Sequence, residues 1–259
     1  MKESVFLCKR EELTIRGTEY RPEGEKLPIA IVSHGFMANQ DIVRHYAKRI
    51  AELGYAAYCF DFCGGCAENG KSDGATTDMS VLTEVKDLLA VIAYAKSLAY
   101  TDASNITLMG CSQGGFVSAL TAKKLGAEVS NLILFYPALC IPDDARAGKM
   151  MFARFDPKNI PDIIKCGPMK LGRCYVSDVI GLNPFEEICG YQGRTLIVHG
   201  TRDDIVALRY AKQAYEEYQK NRTGDQLVKL RIIEGGMHGF TKNHDEAAIV
   251  ELVEFLGGE

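Results

Sequence analysis

Length, composition and charge already restrict the class of protein. The chain has 259 residues, of which 47% are hydrophobic and 25% are charged, and its net charge is −4. Such a chain can bury one large core, and its charge provides no basic footprint for nucleic acid. No apolar run approaches the length of a membrane span, so nucleic-acid-binding and membrane-spanning proteins are both excluded.

The predicted elements alternate between strands and helices along most of the chain. An opening antiparallel pair is followed by alternating strands and helices joined mainly by short connections, and this pattern predicts a mostly parallel sheet covered on both faces. In chain order we predict strands at 5–9, 12–20 and 29–33, a helix at 42–53, a strand at 56–62, an irregular loop at 63–77, a helix at 79–98, a strand at 106–109, a helix ending at 124 and a strand at 129–136. After residue 193 come a strand at 195–199, a helix at 209–220, a strand at 228–233 and a helix at 247–256.

Residues 137–193 interrupt this alternation. The segment is rich in proline and glycine and has only short periodic pieces. Since structureless loops of that length are uncommon in compact domains, we expect a small insert with short elements of its own. It follows the strand next to 106–109 and should lie over the carboxyl edge of the sheet, where open α/β folds bind ligands. We therefore predict a core of residues 1–136 and 194–259 and a lid of residues 137–193.

The most informative motif is the segment Gly110-Cys111-Ser112-Gln113-Gly114-Gly115. It stands between a predicted strand and a predicted helix, which is the context of a nucleophile elbow. A serine on so tight a turn needs residues with almost no side chain two positions before and after it, and Gly110 and Gly114 meet that need. Ser112 is therefore the predicted nucleophile of a serine hydrolase.

A serine nucleophile needs a base and an orienting carboxylate. Of the five histidines, His238 lies in a glycine-flanked loop after the strand at 228–233, from which it can reach over the elbow. The loop after the strand at 195–199 offers two carboxylates. Asp203 has the spacing from the strand end that favours the acid role, whereas Asp204 is interpreted as a residue at a helix start. The order Ser112, Asp203, His238 is the one expected for this fold.

A tetrahedral intermediate also needs two backbone donors. One is the N–H of Gln113, directly after the nucleophile. The other is the N–H of Phe36 in His34-Gly35-Phe36, which follows the strand at 29–33. A simple tight turn is the alternative explanation of that tripeptide, but its position at a strand end favours the oxyanion role.

The cysteines predict the setting of the protein rather than its chemistry. They number nine, and several, such as Cys59 and Cys140, lie within apolar runs. This pattern favours a reducing, cytoplasmic setting over a disulfide framework, and residues 1–10 are too charged for a signal peptide. Cys63 and Cys66 form a C-x-x-C in a glycine-rich loop without a second ligand pair, so we interpret them as a plain loop and predict no metal site.

With these residues in place, the chain resembles the α/β-hydrolase superfamily over essentially its whole length, and more narrowly the bacterial cinnamoyl (feruloyl) esterases. The supporting pieces are His34-Gly35-Phe36, Phe60-Asp61-Phe62, Ser72-Asp73-Gly74, the elbow motif, His199-Gly200-Thr201-x-Asp203, and, within the insert, Asn159-Ile160-Pro161-Asp162 and Leu171-Gly172-x-x-Tyr175. The resemblance implies an α/β-hydrolase fold with a mostly parallel eight-stranded sheet, flanking helices and a small lid.

The resemblance also implies ester hydrolysis through an acyl-enzyme, without a cofactor. In that family a lid aspartate and a lid tyrosine can meet the phenolic hydroxyl of a hydroxycinnamoyl group, and by position these are Asp144 and Tyr175. Two simpler explanations stay open: Asp144 can be solvated, and the insert can enclose a generic acyl pocket. The loop at 63–71 is longer than the compact turn common in the family, which leaves the rim of the site undefined.

Other activities remain open at this stage. A monoacylglycerol lipase, an acyl thioesterase and a peptidase share the fold, as do non-catalytic ligand-binding proteins that have lost the triad. The presence of Ser112, Asp203 and His238 disfavours the last class. We expect a small-molecule ester as substrate; the oligomeric state stays open, with a homodimer as one option.

Overall fold

A sheet of eight strands forms the centre of the fold in the computed structural model, which describes residues 1–258. Its strand order is β1-β2-β4-β3-β5-β6-β11-β12. The pairs β1–β2 and β2–β4 are antiparallel, and every other neighbouring pair is parallel. The predicted mostly parallel eight-stranded sheet is therefore confirmed.

The bounds of the elements are as follows. The strands are β1 (Lys2–Arg10), β2 (Leu13–Arg21), β3 (Leu27–Ser33), β4 (Ala56–Phe60), β5 (Thr101–Cys111), β6 (Val129–Phe135), β7 (Lys149–Met150), β8 (Ala153–Arg154), β9 (Ile163–Cys166), β10 (Met169–Gly172), β11 (Arg194–Gly200) and β12 (Val228–Ile233). The helices are α1 (Gln40–Glu52), α2 (Val81–Lys96), α3 (Gln113–Leu125), α4 (Ile141–Arg146), α5 (Cys174–Ser177), α6 (Pro184–Ile188), α7 (Arg209–Asn221) and α8 (Lys242–Gly257).

Helices cover both faces of the sheet, so the central strands are buried on both sides. The segment 29–32 in β3 is fully buried at every position, which is why it reads as a continuous apolar run instead of an alternation. Side chains of α1 and α8 pack in one core, and side chains of α2, α3 and α7 pack in the other. The parallel strands then end at one shared edge, where the loops that follow β3, β5, β11 and β12 meet.

Local sequence signals account for the helix ends. Asn39 caps α1 by accepting a hydrogen bond from the Asp41 N–H, and Gly54 takes a positive φ of 97° just beyond its end. Ser80 and Thr83 form a reciprocal capping box at the start of α2. Helix α8 begins at Lys242, five residues before the predicted start at 247. The prediction missed these residues because the first turn of the helix is polar and carries no apolar periodicity.

The 137–193 segment consists of short elements only. It holds α4, α5 and α6 and two antiparallel pairs, β7–β8 and β9–β10, that are separate from the main sheet. Its separation from the core as a lid stays a prediction. Across residues 1–258, no helix combines the length and apolar character needed to cross a membrane.

Candidate active site

Ser112 lies at the turn between β5 and α3, in a backbone conformation that residues other than glycine rarely adopt. Its φ is 54° and its ψ is −120°. A Cβ on Gly110 would overlap the Gly114 carbonyl, and a Cβ on Gly114 would overlap the His34 carbonyl. The predicted strand, turn and helix around Ser112 are therefore present, with the glycines where the close approach of backbones requires them.

The structure brings the three predicted triad residues together. The Nε2 atom of His238 lies 2.9 Å from the Ser112 hydroxyl oxygen, and its Nδ1 atom lies 2.9 Å from Oδ2 of Asp203. Asp203 comes from the loop after β11 and His238 from the loop after β12. A single imidazole thus spans a hydroxyl and a carboxylate, the arrangement needed to accept a proton from serine.

Backbone contacts between two loops hold the aspartate and the histidine in register. The Arg202 N–H donates to the Gly236 carbonyl at 2.9 Å, and the Gly235 N–H donates to the Thr201 hydroxyl at 2.8 Å. A Cβ on Gly200 would overlap the Gly236 carbonyl. The loops can approach this closely only because glycine occupies the contact.

The side chain of Asp203 is buried, and both of its carboxylate oxygens have partners. Oδ1 accepts the N–H groups of Ile205 and Val206, at 3.0 and 2.8 Å. Burial acts to raise the pKa of Asp203, but the contacts of Oδ2 with His199 and His238 and the Val206 N–H outweigh it, so the pKa lies below its usual range. The residue therefore stays ionised and orients the His238 ring.

Asp204 differs from Asp203 in its exposure and in its contacts. Its side chain is exposed, and it lies in the loop before α7, which begins only at Arg209. The interpretation of Asp204 as a residue at a helix start is therefore wrong, since the irregular residues 205–208 intervene. The geometry nevertheless agrees with the choice of Asp203, because it is Asp203 that contacts His238.

Both residues predicted to supply oxyanion donors, Phe36 and Gln113, line the same cleft as Ser112. Gln113 is the first residue of α3, where helical N–H groups have no intrahelical acceptor. Phe36 follows Gly35, whose Cβ, if present, would lie 3.0 Å from the Ser112 Cβ. The buried His34 ring braces this loop, since Nδ1 contacts the Gly35 carbonyl at 2.8 Å and Nε2 accepts the Phe62 N–H at 3.1 Å.

A cleft of about 200 Å³ opens beside Ser112. Both predicted lid residues, Asp144 and Tyr175, line it, together with apolar side chains of the 137–193 segment. Two basic residues of the lining, Lys149 and Arg154, were not predicted, because charged side chains in such short elements form no pattern. The Lys149 amine lies 3.0 Å from Oδ1 of Asp144. The remaining lining residues are Phe36, Gln113, Ala138, Cys140, Ile141, Met150, Met151, Asp204, Ile205 and Val206.

Tyr175 is buried and its hydroxyl points toward the elbow. The hydroxyl donates to Oε1 of Gln113 at 2.5 Å, and the ring lies 5.2 Å from that of Phe36, centroid to centroid. Nε2 of Gln113 in turn donates to Oε2 of Glu84 at 2.8 Å. Burial raises the pKa of Glu84 well above its usual value. Glu84 was not predicted, although a carboxylate next to the apolar positions of α2 is the signal that could have found it.

One group of potential metal ligands lies behind the site. In residues 1–258, potential ligand atoms of His34, Asp61 and Cys66 lie within 4.8 Å of one another. These atoms have other partners: Nε2 of His34 accepts the Phe62 N–H, and the Asp61 oxygens accept the N–H groups of Gln40 and Lys71. Burial also raises the pKa of the Cys63 thiol to about 12 and raises that of the Cys66 thiol, which disfavours the thiolate form that a redox or metal role would need.

Comparison with known proteins shows which family the chain belongs to. Residues 24–171, more than half of the chain, match the family described as serine aminopeptidase, S33. That stretch includes Ser112 but ends before Asp203 and His238. An uncharacterized 31.7 kDa protein of Escherichia coli, from the traX-finO intergenic region, is 31% identical over 116 residues. The match covers 43% of this chain and 39% of that protein, so the chain spans less than half the length of this relative.

Solved structures extend the likeness to the whole fold. Est1E from Butyrivibrio proteoclasticus with bound ferulic acid is 27% identical, with a TM-score of 0.85 over 97% of this chain and 99% of that chain. Mouse α/β hydrolase domain-containing protein 10, at 18% identity and a TM-score of 0.73 over 98% of each chain, shares the fold. These similarities confirm the predicted resemblance. The chain therefore belongs to the family described as serine aminopeptidase, S33, and has the α/β-hydrolase fold.

Proposed function

We propose that this chain is a serine carboxylesterase that forms an acyl-enzyme on Ser112 and hydrolyses hydroxycinnamoyl or other small acyl esters. The observation that carries the proposal is the position of the His238 ring, 2.9 Å from the Ser112 hydroxyl on one side and 2.9 Å from Asp203 on the other. No other serine–histidine–carboxylate chain of this kind occurs among the hydrogen bonds of residues 1–258.

The reaction follows from these contacts. His238 accepts the Ser112 proton as the hydroxyl oxygen attacks the ester carbonyl, and the Asp203 carboxylate stabilises the imidazolium. The N–H groups of Phe36 and Gln113 stabilise the negative charge on the carbonyl oxygen. The tetrahedral intermediate collapses as His238 protonates the leaving alcohol. A water molecule, activated by the same histidine, then releases the acid and restores Ser112.

The size and chemistry of the cleft support a small acyl group. Its volume of about 200 Å³ is below the roughly 300–1,000 Å³ of typical ligand sites, which favours a single ring or a short chain over the long chain of a monoacylglycerol. Burial of an aromatic ring against Met150 and Ile141 would contribute on the order of 1.5–3 kcal/mol. Est1E, which holds ferulic acid, is a related protein in which an acid of this class is bound.

We further propose that the 137–193 segment acts as a lid and that Asp144 and Tyr175 recognise a phenolic hydroxyl. Because the Tyr175 hydrogen is donated to Gln113, Tyr175 can only accept from the phenol. Asp144 has one oxygen paired with Lys149 and a second that can accept the phenolic proton. We retain a reducing, cytoplasmic setting, since every cysteine within residues 1–258 is free.

A panel of substrates tests the proposal. We expect the purified protein to hydrolyse methyl ferulate, methyl p-coumarate and p-nitrophenyl acetate with a higher kcat/KM than p-nitrophenyl palmitate, a monoacylglycerol, an acyl-CoA or an aminoacyl p-nitroanilide. Ser112→Ala should reduce ester turnover at least about 10⁴-fold while thermal unfolding is unchanged. Normal turnover by Ser112→Ala would overturn the mechanism, and a preference for the anilide would identify an aminopeptidase instead.

A further inference from the structure

Glu84 is a buried carboxyl group that takes no part in the proposed triad. It is 1% exposed, lies in the first turn of α2, and has no basic side chain within ion-pair distance among residues 1–258. Its one hydrogen-bond partner in that range is Nε2 of Gln113, at 2.8 Å. A buried carboxyl group is costly to keep, so a group with this single contact is expected to serve that contact.

The Gln113 side chain is held at both ends. Its Oε1 atom accepts from the Tyr175 hydroxyl, and its Nε2 atom donates to Glu84, which defines the orientation of the amide group. Side chain and backbone belong to one residue. A side chain locked at two points therefore restricts movement of the Gln113 N–H, which is one of the two proposed oxyanion donors.

The same chain of contacts reaches the second donor. Tyr175, which bonds to Gln113, also packs its ring against Phe36 at 5.2 Å. Three elements are joined in this way: α2 through Glu84, the elbow through Gln113, and the 137–193 segment through Tyr175. A shift of any of the three elements would therefore displace one of the proposed oxyanion donors, which must lie close to its ideal position in the transition state.

We propose that Glu84 is a positioning residue, which acts through the Gln113 side chain to hold the proposed oxyanion donors and to tie them to Tyr175. The inference rests on the proposed function, because it assigns Gln113 an N–H donor role. Burial favours the neutral form of Glu84, so a neutral acceptor of the same shape should replace it. The role depends on an acceptor atom at this place and not on a negative charge.

The test compares Glu84→Met, which keeps the length of the side chain but removes the acceptor, with Glu84→Gln, which retains one. Sites are counted with a fluorophosphonate that reacts with the active serine, and kinetics are measured with p-nitrophenyl acetate. We expect about a 10-fold lower kcat per titrated site for Glu84→Met with KM within about twofold of wild type. Glu84→Gln should restore kcat to within about twofold. A role in folding alone would lower the melting temperature and the number of sites, but not kcat per site.

Asp87 supplies a matched control. It is a second buried carboxyl group on α2, one turn further along, but its partners are Arg10 and the Cys63 N–H, away from Ser112. Asp87→Asn should therefore destabilise the protein without changing kcat per site by more than about twofold. An equal loss of kcat in Asp87→Asn and Glu84→Met would overturn the proposal, since it would reflect a general disturbance of α2.

A double variant completes the design. Because both changes break one chain of contacts, Glu84→Met combined with Gln113→Met should lose no more kcat than Gln113→Met alone. Multiplicative losses, or an unchanged kcat in Glu84→Met, would overturn the proposal. If Glu84→Met yields no folded protein, Gln113→Met decides: a normal kcat refutes the role and about a 10-fold loss supports it. Failure of the proposed function is seen separately, as turnover that survives Ser112→Ala.

Discussion

The carboxyl edge of the sheet and the 137–193 segment both contribute residues to one cleft and are built in different ways. Ser112 and Asp203 follow β5 and β11, each of which is paired with strands on both sides, and His238 follows β12. Asp144 lies instead in a six-residue helix and Lys149 in a two-residue strand. The residues of the proposed triad are thus positioned by the sheet, whereas the residues proposed to face the acyl group are positioned by short elements outside it.

The largest expected effect tests the sheet side of this comparison. Asp203→Asn should lower kcat by about 10⁴-fold, because an amide at this place favours the wrong tautomer of His238. The exposed neighbour is the control: Asp204→Asn should stay within about threefold of wild type in steady-state assays with p-nitrophenyl acetate. If Asp204→Asn proves the more damaging change, the acid has been assigned to the wrong carboxylate.

The pH dependence sharpens the assignment of roles on the same side. His238 must be neutral to accept the Ser112 proton, so kcat/KM should fall about tenfold per pH unit on the acid side once the imidazole is protonated. A carboxyl group whose pKa is lowered takes up its proton only at more acidic pH, so Asp203 stays ionised through this range. A pH–rate profile should show a limiting slope of one. A slope of two would mean that Asp203 titrates together with His238.

The cleft side should respond selectively. Asp144→Ala removes an acceptor for a phenolic proton, and a hydrogen bond to a charged group is worth about 1.5–3 kcal/mol. We expect kcat/KM for methyl ferulate to fall about tenfold or more, with less than a twofold change for p-nitrophenyl acetate. Asp143→Ala is the matched control, since Asp143 is engaged by Arg146 and Tyr210 and does not line the cleft. Equal losses on both esters would reduce the function to that of a generic carboxylesterase.

The smallest expected effect concerns the ligand group behind the elbow. Since His34 and Asp61 already accept backbone N–H groups, treatment with EDTA and the variant Cys66→Ala should each leave kcat/KM within about twofold of wild type. Esterase activity measured before and after chelation, with zinc added back, checks this. Activity that is lost on chelation and regained with zinc would show that these residues serve a metal.

The contrast between the sheet edge and the 137–193 segment also explains which residues of the site could be predicted from the sequence. Ser112 was predictable because its turn demands glycine at fixed positions, and Asp203 and His238 because each follows a recognisable strand. The place of Asp144 and Tyr175 beside the cleft was predictable only through a resemblance, and their role toward substrate stays a prediction. Glu84 and Lys149 were missed because their importance depends on what they contact across the fold. The start of α8 was misplaced for a related reason, since its polar first turn carries no signal of burial.

The backbone of Ser112 has a consequence for attempts to make the protein more heat-resistant. A non-glycine residue at φ 54° and ψ −120° carries strain of about 1–3 kcal/mol, and that strain belongs to the geometry that presents the proposed nucleophile. Glycine adopts such angles freely, so selection for thermal resistance alone would favour Ser112→Gly, an inactive protein. Directed evolution of this chain therefore has to screen for turnover and heat resistance together.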